Sequence, residues 1–208
     1  MRWIQHWIIG EDCLRSRRSL PYQLGCLLPD WFHRRPIHRW DESADNFLRR
    51  AEKVRTMPRG AARDWNIGLL AHFLCDYCTE AHNEEYYRFY RHRVYEVMAQ
   101  KRIQRLRAED GEALRRIEPL EIPPELTDPA AGEKAFSLAL RAFLTEKIGE
   151  LRGGIRALGS AEWFRDERVA DLDIRWAHRL LYALLCIFGE EGREEREDGQ
   201  GHGYEQTV

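Results

Sequence analysis

The chain has 208 residues, enough to bury a substantial hydrophobic core as one domain. Its 43% hydrophobic and 33% charged residues are typical of a globular protein rather than a disordered chain. The net charge of −2, from 33 basic and 35 acidic residues, excludes a general electrostatic attraction to nucleic acid or anionic lipid.

The amino-terminal stretch and the cysteines bear on the cellular compartment. Residues 3–9 form a short apolar stretch, but an Arg-rich segment rather than a small-residue cleavage site follows it, so we predict no secretory signal. No apolar run reaches the roughly 18 residues that a membrane-spanning helix needs. The five cysteines lie mostly inside apolar runs, as reduced thiols do. We therefore expect a cytoplasmic protein.

Helical periodicity dominates, and the sequence contains no alternating strand or hairpin pattern. We predict an all-α fold, a compact multi-helix bundle forming a single domain over residues 1–188. The predicted helices lie at 3–9, 43–56, 61–78, 84–107, 131–151 and 169–188. Residues 20–40 are predicted to form a loop with a short turn of helix, the proline-rich residues 118–129 an extended linker, and residues 189–208 a disordered tail.

The predicted helix at 61–78 is apolar nearly all round, which indicates burial. His72 and Asp76 interrupt this apolar surface four residues apart, so their side chains lie on one helical face. An unpaired buried carboxylate is costly, so Asp76 needs a cation or several hydrogen-bond donors. Taken alone, however, such a pair is more often hydrogen-bonded than metal-binding.

A second pair with the same spacing, His92 and Glu96, lies on the next predicted helix. His82 lies between the two pairs, where one helix ends and the next begins. On antiparallel neighbouring helices these side chains would form one cluster of nitrogen and oxygen ligands, with metal between the helices. That set suits zinc, with manganese or iron as alternatives.

Further candidate ligands lie upstream at Asp30, His33, His38 and His6. His33 stands in a polar run and is better explained as a solvated loop histidine. His6 stands in a Trp-rich apolar stretch and is equally well explained as a hydrogen-bonded core histidine. The metal-site prediction therefore depends on the joint pattern of Asp30, His38, His72, Asp76, His82, His92 and Glu96.

Residues 67–83, IGLLAHFLCDYCTEAHN, resemble the core motif of the zinc-dependent phospholipase C family, which is related to the single-strand-specific zinc nucleases. That motif is a His, three residues, an Asp, five residues and a His, matched here by His72, Asp76 and His82. The resemblance covers about the first half of the chain. It implies a mostly helical fold that holds zinc and hydrolyses phosphodiester bonds in phospholipids or nucleotides.

The resemblance also assigns individual ligands. A later His-x-x-x-Glu is matched by His92 and Glu96, and an upstream Pro-Asp followed by a His is matched by Asp30 and His38. The ligands implied for one zinc are Asp30, His38, His72 and Asp76. Those implied for a second zinc are His82, His92 and Glu96.

The amino terminus departs from the family pattern. Secreted members expose a processed Trp that helps to bind a third zinc, whereas this chain begins Met1-Arg2-Trp3. We therefore expect two zinc ions, and a third only if His6 and Met1 supply its ligands together with a bridging Asp76. The gap between Asp30 and His38 is also short for the family, which leaves His33 as an alternative ligand.

The implied mechanism is attack by metal-activated water on a phosphodiester. Asp30 is the candidate catalytic residue, which would orient or deprotonate the water. The candidates for holding the substrate phosphate are Arg34, Arg35 and Arg39.

Three other interpretations remain open at the level of sequence. One zinc could tie the helices together without chemistry, although structural sites favour cysteine and close with four ligands. Cys75-x-x-Cys78 could be a redox pair, but it lacks the strand context of thioredoxin-like motifs and is more simply two packed thiols. The third is a helical interaction protein that keeps the family fold without turnover.

Overall fold

The computed structural model of the protein describes residues 9, 19–29, 39–83, 89–109 and 116–190. All regular structure in these residues is helical, which confirms the all-α prediction. The elements are α1 (Leu20–Leu27), α2 (Trp40–Thr56), α3 (Ala61–Cys78), α4 (Glu80–Asn83), α5 (Phe89–Glu109), α6 (Pro124–Thr127), α7 (Glu133–Ala157), a 3-10 turn (Trp163–Arg165) and α8 (Glu167–Ile187). None of these helices is long and apolar enough to cross a membrane.

Helix α3 is the centre of the fold. Its sequence predicts an all-round apolar helix with these bounds, and every residue from 66 to 78 is buried. Helices α1, α2, α7 and α8 all contact it. Because α3 carries His72 and Asp76, the predicted ligand pair lies inside the bundle rather than on its surface.

The short turn of helix predicted within the loop of residues 20–40 is a regular helix of 8 residues, α1, so the loop prediction is wrong for residues 20–27. The Ser19 side chain accepts a hydrogen bond from the Tyr22 amide, and Pro21 occupies the first turn, where its missing amide hydrogen costs nothing. Gly25 lies inside α1 and lets this helix approach α3 closely, with the Gly25 Cα opposite Gly68.

Other helix bounds differ from prediction because of tertiary contacts. Helix α2 begins at Trp40, whose indole nitrogen donates to the Thr145 hydroxyl of α7 at 2.9 Å. Helix α7 continues past 151 to Ala157 because tertiary packing outweighs the weak helix propensity of its glycines. The proline-rich linker contains the short helix α6, anchored by the buried Leu126.

The carboxyl end of α8 is fixed by a buried ion pair. Gly189 adopts a left-handed backbone with φ 66°, and Glu190 then turns back to accept from Arg63 Nε at 2.9 Å. Arg63 also donates to the carbonyls of Val54 and Phe188, both at 2.7 Å. The prediction of a disordered tail is therefore wrong for residues 189 and 190, which belong to the folded part. The remainder of the predicted tail lies outside the described residues.

Candidate metal centre

Asp76 is the hub of the predicted ligands that the structure describes. Its side chain is 1% exposed, and each carboxylate oxygen faces a different histidine. Oδ2 lies 3.2 Å from Nε2 of His72, one helical turn away, and Oδ1 lies 3.3 Å from Nε2 of His82. The i,i+4 pairing that the sequence predicts is therefore present, and His82 joins it.

His82 reaches Asp76 because α3 ends in a tight turn. The Thr79 amide donates to the Asp76 carbonyl at 2.9 Å, and the Thr79 hydroxyl donates to the Cys75 carbonyl at 2.9 Å. These bonds end the helix and start the short helix α4, where the His82 amide donates to the Thr79 carbonyl. The chain thus reverses within a few residues and returns an imidazole to the end of α3.

The second predicted pair lies next to the first. His92 Nε2 is 3.2 Å from Glu96 Oε1 on α5, and the rings of His82 and His92 meet edge to face with centroids 4.8 Å apart. Arg93 approaches the other Glu96 oxygen at 3.4 Å. The structure therefore brings together five sequence-predicted ligands: His72, Asp76, His82, His92 and Glu96.

The orientation of His72 is set by a group that sequence reasoning missed. Its Nδ1 lies 3.0 Å from the backbone carbonyl of Cys26 on α1. A carbonyl oxygen only accepts hydrogen bonds, so Nδ1 carries the proton, and in a neutral ring Nε2 then presents a lone pair to Asp76. Two lone-pair atoms facing each other at 3.2 Å need a cation between them, either a second proton or a metal ion.

Burial, hydrogen bonds and neighbouring charges set the charges of His82 and Glu96. Burial lowers the pKa of His82 to about 3, so its imidazole is neutral, which is the form that binds metal. Burial also acts to raise the pKa of Glu96, but the hydrogen bond from His92 and neighbouring charges outweigh it and lower that pKa. Glu96 is therefore a carboxylate. A neutral imidazole and a carboxylate are both ligands that zinc accepts.

The pairwise distances also suit a shared ion. Two ligand atoms each about 2.1 Å from one tetrahedral zinc lie about 3.4 Å apart, close to the distances on either side of Asp76. No three His, Cys, Asp or Glu side chains among the described residues already form a metal-holding group, however. The two Asp76 oxygens face different histidines, and each of these contacts is a pair.

The upstream candidates lie outside the part of the chain that the structure describes. This applies to Asp30, His33, His38, His6 and Met1 and to the phosphate-holding candidates Arg34 and Arg35. The catalytic role of Asp30 and the third zinc therefore stay predictions. Arg39 is described, and its guanidinium contacts carboxylates of its own segment, Asp41 at 2.9 Å and Glu42 at 3.5 Å.

The Cys75-x-x-Cys78 segment contains two free, buried thiols. Burial, reinforced by neighbouring acidic groups, raises the pKa of both well above its ordinary value. A redox pair needs an accessible thiolate, so this segment lacks the electrostatics of a redox motif. The packed-thiol interpretation is confirmed.

Comparison with known proteins adds one match. The sequence model of the zinc-dependent phospholipase C family matches residues 6–152. The matched stretch begins at His6, includes the predicted ligands from Asp30 to Glu96 and ends in α7, leaving α8 outside it. Neither curated proteins nor solved structures gave a match.

Proposed function

We propose that this chain, which belongs to the zinc-dependent phospholipase C family, is a zinc-dependent hydrolase of phosphodiester bonds. A phospholipid is the first substrate class to test. The observation that carries the proposal is the arrangement at His72. The Cys26 carbonyl fixes the proton on one ring nitrogen and aims the other at a buried carboxylate. That geometry supports a cation between the two side chains, and the proposed cation is zinc.

The proposed ligands divide between two ions, with a third ion as an open prediction. His72 and Asp76, joined by Asp30 and His38, would hold the first, while His82, His92 and Glu96 would hold the second. Bound zinc would supply Lewis acidity and a nucleophile from water near neutral pH. Because each carboxylate oxygen of Asp76 faces a different histidine, Asp76 is suited to bridging neighbouring ions.

The ligands differ in their access to solvent, which indicates where a substrate would enter. The His72 side chain is fully buried, whereas those of His82 and His92 are 14% and 11% exposed. The approach therefore lies on the α4–α5 side. The buried Asp76 end excludes bulk water, so charges there interact more strongly than they would in water. Our proposed role for Asp30 is to orient or deprotonate the attacking water.

A separate basic cavity lies against α3, and none of the proposed metal ligands lines it. It has a volume of about 380 Å³ and lies between α2 and α3, where Phe73 and Tyr77 directly follow His72 and Asp76. Its α2 wall includes Arg49, Arg50 and Lys53, and no acidic side chain lines it. Burial lowers the pKa of Arg50, as expected for a guanidinium drawn partly into the protein.

A zinc-binding structural or interaction protein without turnover is the second candidate. Full burial of His72 and Asp76 favours it, because closed sites are typical of structural zinc. Asp30 would then have no chemical role. Both candidates predict zinc in the protein, but only the first predicts hydrolysis that depends on that zinc.

The test is hydrolysis of phosphatidylcholine vesicles and of a chromogenic phosphodiester by zinc-loaded protein. We expect hydrolysis that chelation abolishes and zinc restores. Asp76→Asn should abolish hydrolysis because it removes the proposed bridging carboxylate. The control is Glu190→Gln, which changes an equally buried carboxylate in the ion pair with Arg63 and should retain activity. Zinc-loaded wild-type protein that is inactive on both substrates would favour the structural candidate.

The cytoplasm is the proposed compartment. Cys26, Cys75, Cys78 and Cys186 are all free thiols. Free, mostly buried cysteines are typical of reducing compartments, where disulfides do not persist. Fractionation of the native host tests this assignment. Finding the protein in the periplasm or the medium would contradict it.

A further inference from the structure

We propose that Asp173 is a positioning residue for the second metal site, holding together the two segments that carry its ligands. This inference rests on the proposed function and adds a residue to it. Asp173 lies on α8, outside the residues that match the family, and no motif in the sequence points to it.

Asp173 connects three helices through one oxygen atom. Its Oδ2 accepts a hydrogen bond from the Glu80 backbone amide at 3.0 Å and a close hydrogen bond from the Tyr95 hydroxyl. Glu80 opens α4, and Tyr95 lies on α5. A single carboxylate on α8 therefore fixes both α4 and α5.

The two contacts lie directly beside the proposed ligands. Glu80 precedes His82 by two residues, and Tyr95 precedes Glu96 by one. Helix α4 has only 4 residues and cannot hold its own orientation through internal hydrogen bonds. Asp173 thus holds α4, which carries His82, from a different helix. It also links α4 to α5, which carries His92 and Glu96.

Stability alone does not explain this arrangement, because burying a carboxylate here lowers the free energy of unfolding. Asp173 and Tyr95 are both 0% exposed, and burial raises the pKa of Asp173 well above its ordinary value. Among the described residues, the second oxygen Oδ1 has no hydrogen-bond partner. A buried polar atom without a partner is destabilising, and an apolar residue of similar size would avoid that cost. The hydrogen bonds that Asp173 accepts from α4 and α5 explain the presence of a carboxylate here.

The experiment measures zinc affinity by competition with a chromogenic chelator on the full-length protein. Asp173→Ala removes both contacts and should weaken binding of one zinc, the ion assigned to His82, His92 and Glu96, by about 10- to 100-fold, the usual effect of losing a group that orients a ligand. Asp173→Asn keeps an oxygen that accepts from both donors and should stay within about tenfold of the wild type. Tyr95→Phe is the milder variant if Asp173→Ala does not fold, and it should weaken the same zinc.

The control is Glu190→Ala, which removes another buried carboxylate but touches neither α4 nor α5. It should reduce the free energy of unfolding and leave zinc affinity unchanged. Zinc affinity at the wild-type value in both Asp173→Ala and Tyr95→Phe would overturn this proposal alone. Wild-type protein that binds no zinc would overturn the proposed function and this inference with it.

Discussion

The contact between α1 and α3 is so close that adding one methyl group there should disrupt it. A Cβ added at Gly68 would lie 2.3 Å from the Tyr22 carbonyl oxygen and 3.0 Å from the Gly25 Cα. These are backbone atoms, so no side chain can rotate away. Gly68→Ala therefore forces the two helices apart.

The expected magnitude follows from two opposing effects. Overpacking of this kind costs about 1–3 kcal/mol, and the loss is larger if the helices separate. Alanine regains about 1 kcal/mol of helix propensity, which offsets part of the cost. We expect a net loss of up to about 2 kcal/mol, equivalent to up to roughly 8 °C in Tm for a chain of this size. Because α1 carries the Cys26 carbonyl that orients His72, zinc affinity should fall too.

Thermal and urea unfolding followed by circular dichroism measure this effect. The matched control is Gly153→Ala in α7, where an added Cβ meets nothing within 4 Å. That control should gain about 0.5–1 kcal/mol because alanine replaces glycine in an open helical position. If Gly68→Ala were as stable as Gly153→Ala, the close approach of α1 and α3 would be refuted.

Two further predictions concern buried groups away from the centre. Glu190→Gln leaves the Arg63 guanidinium buried without its carboxylate, so the free energy of unfolding should fall by about 3–5 kcal/mol. Urea unfolding measures this loss, and a loss below about 1 kcal/mol would contradict the burial of the ion pair. Burial raises the pKa of Cys26 to about 12. In a Cys13→Ser background, a thiol reagent at about pH 8 should therefore modify the half-buried Cys186 first, and Cys26 only when the protein unfolds. Rapid labelling of Cys26 in the folded protein would contradict this.

The ligand pairs could be predicted from sequence because helical geometry fixes them locally. Residues four apart share a face, so His72 with Asp76 and His92 with Glu96 follow from spacing alone. His82 needed only the position of the helix end. The sequence predicts only a short turn where α1 forms, because glycine disfavours a helix and the role of Gly25 depends on Gly68 in another helix.

The groups that orient the ligands could not be predicted in the same way. The Cys26 carbonyl is a backbone atom that no residue type reveals, and it lies 46 residues before His72. Asp173 lies 78 residues after Tyr95, and only the packing of α8 on α5 brings them together. Both depend on long-range helix packing, which a pattern of local periodicity does not encode.

Zinc content tests the central claim most directly. Elemental analysis of the purified wild-type protein should give about two zinc ions per chain, and His72→Ala should give about one. The control His178→Gln, which alters a buried histidine on α8, should retain the wild-type content. Wild-type protein without zinc, or His72→Ala with undiminished zinc, would contradict a metal centre built on His72 and Asp76.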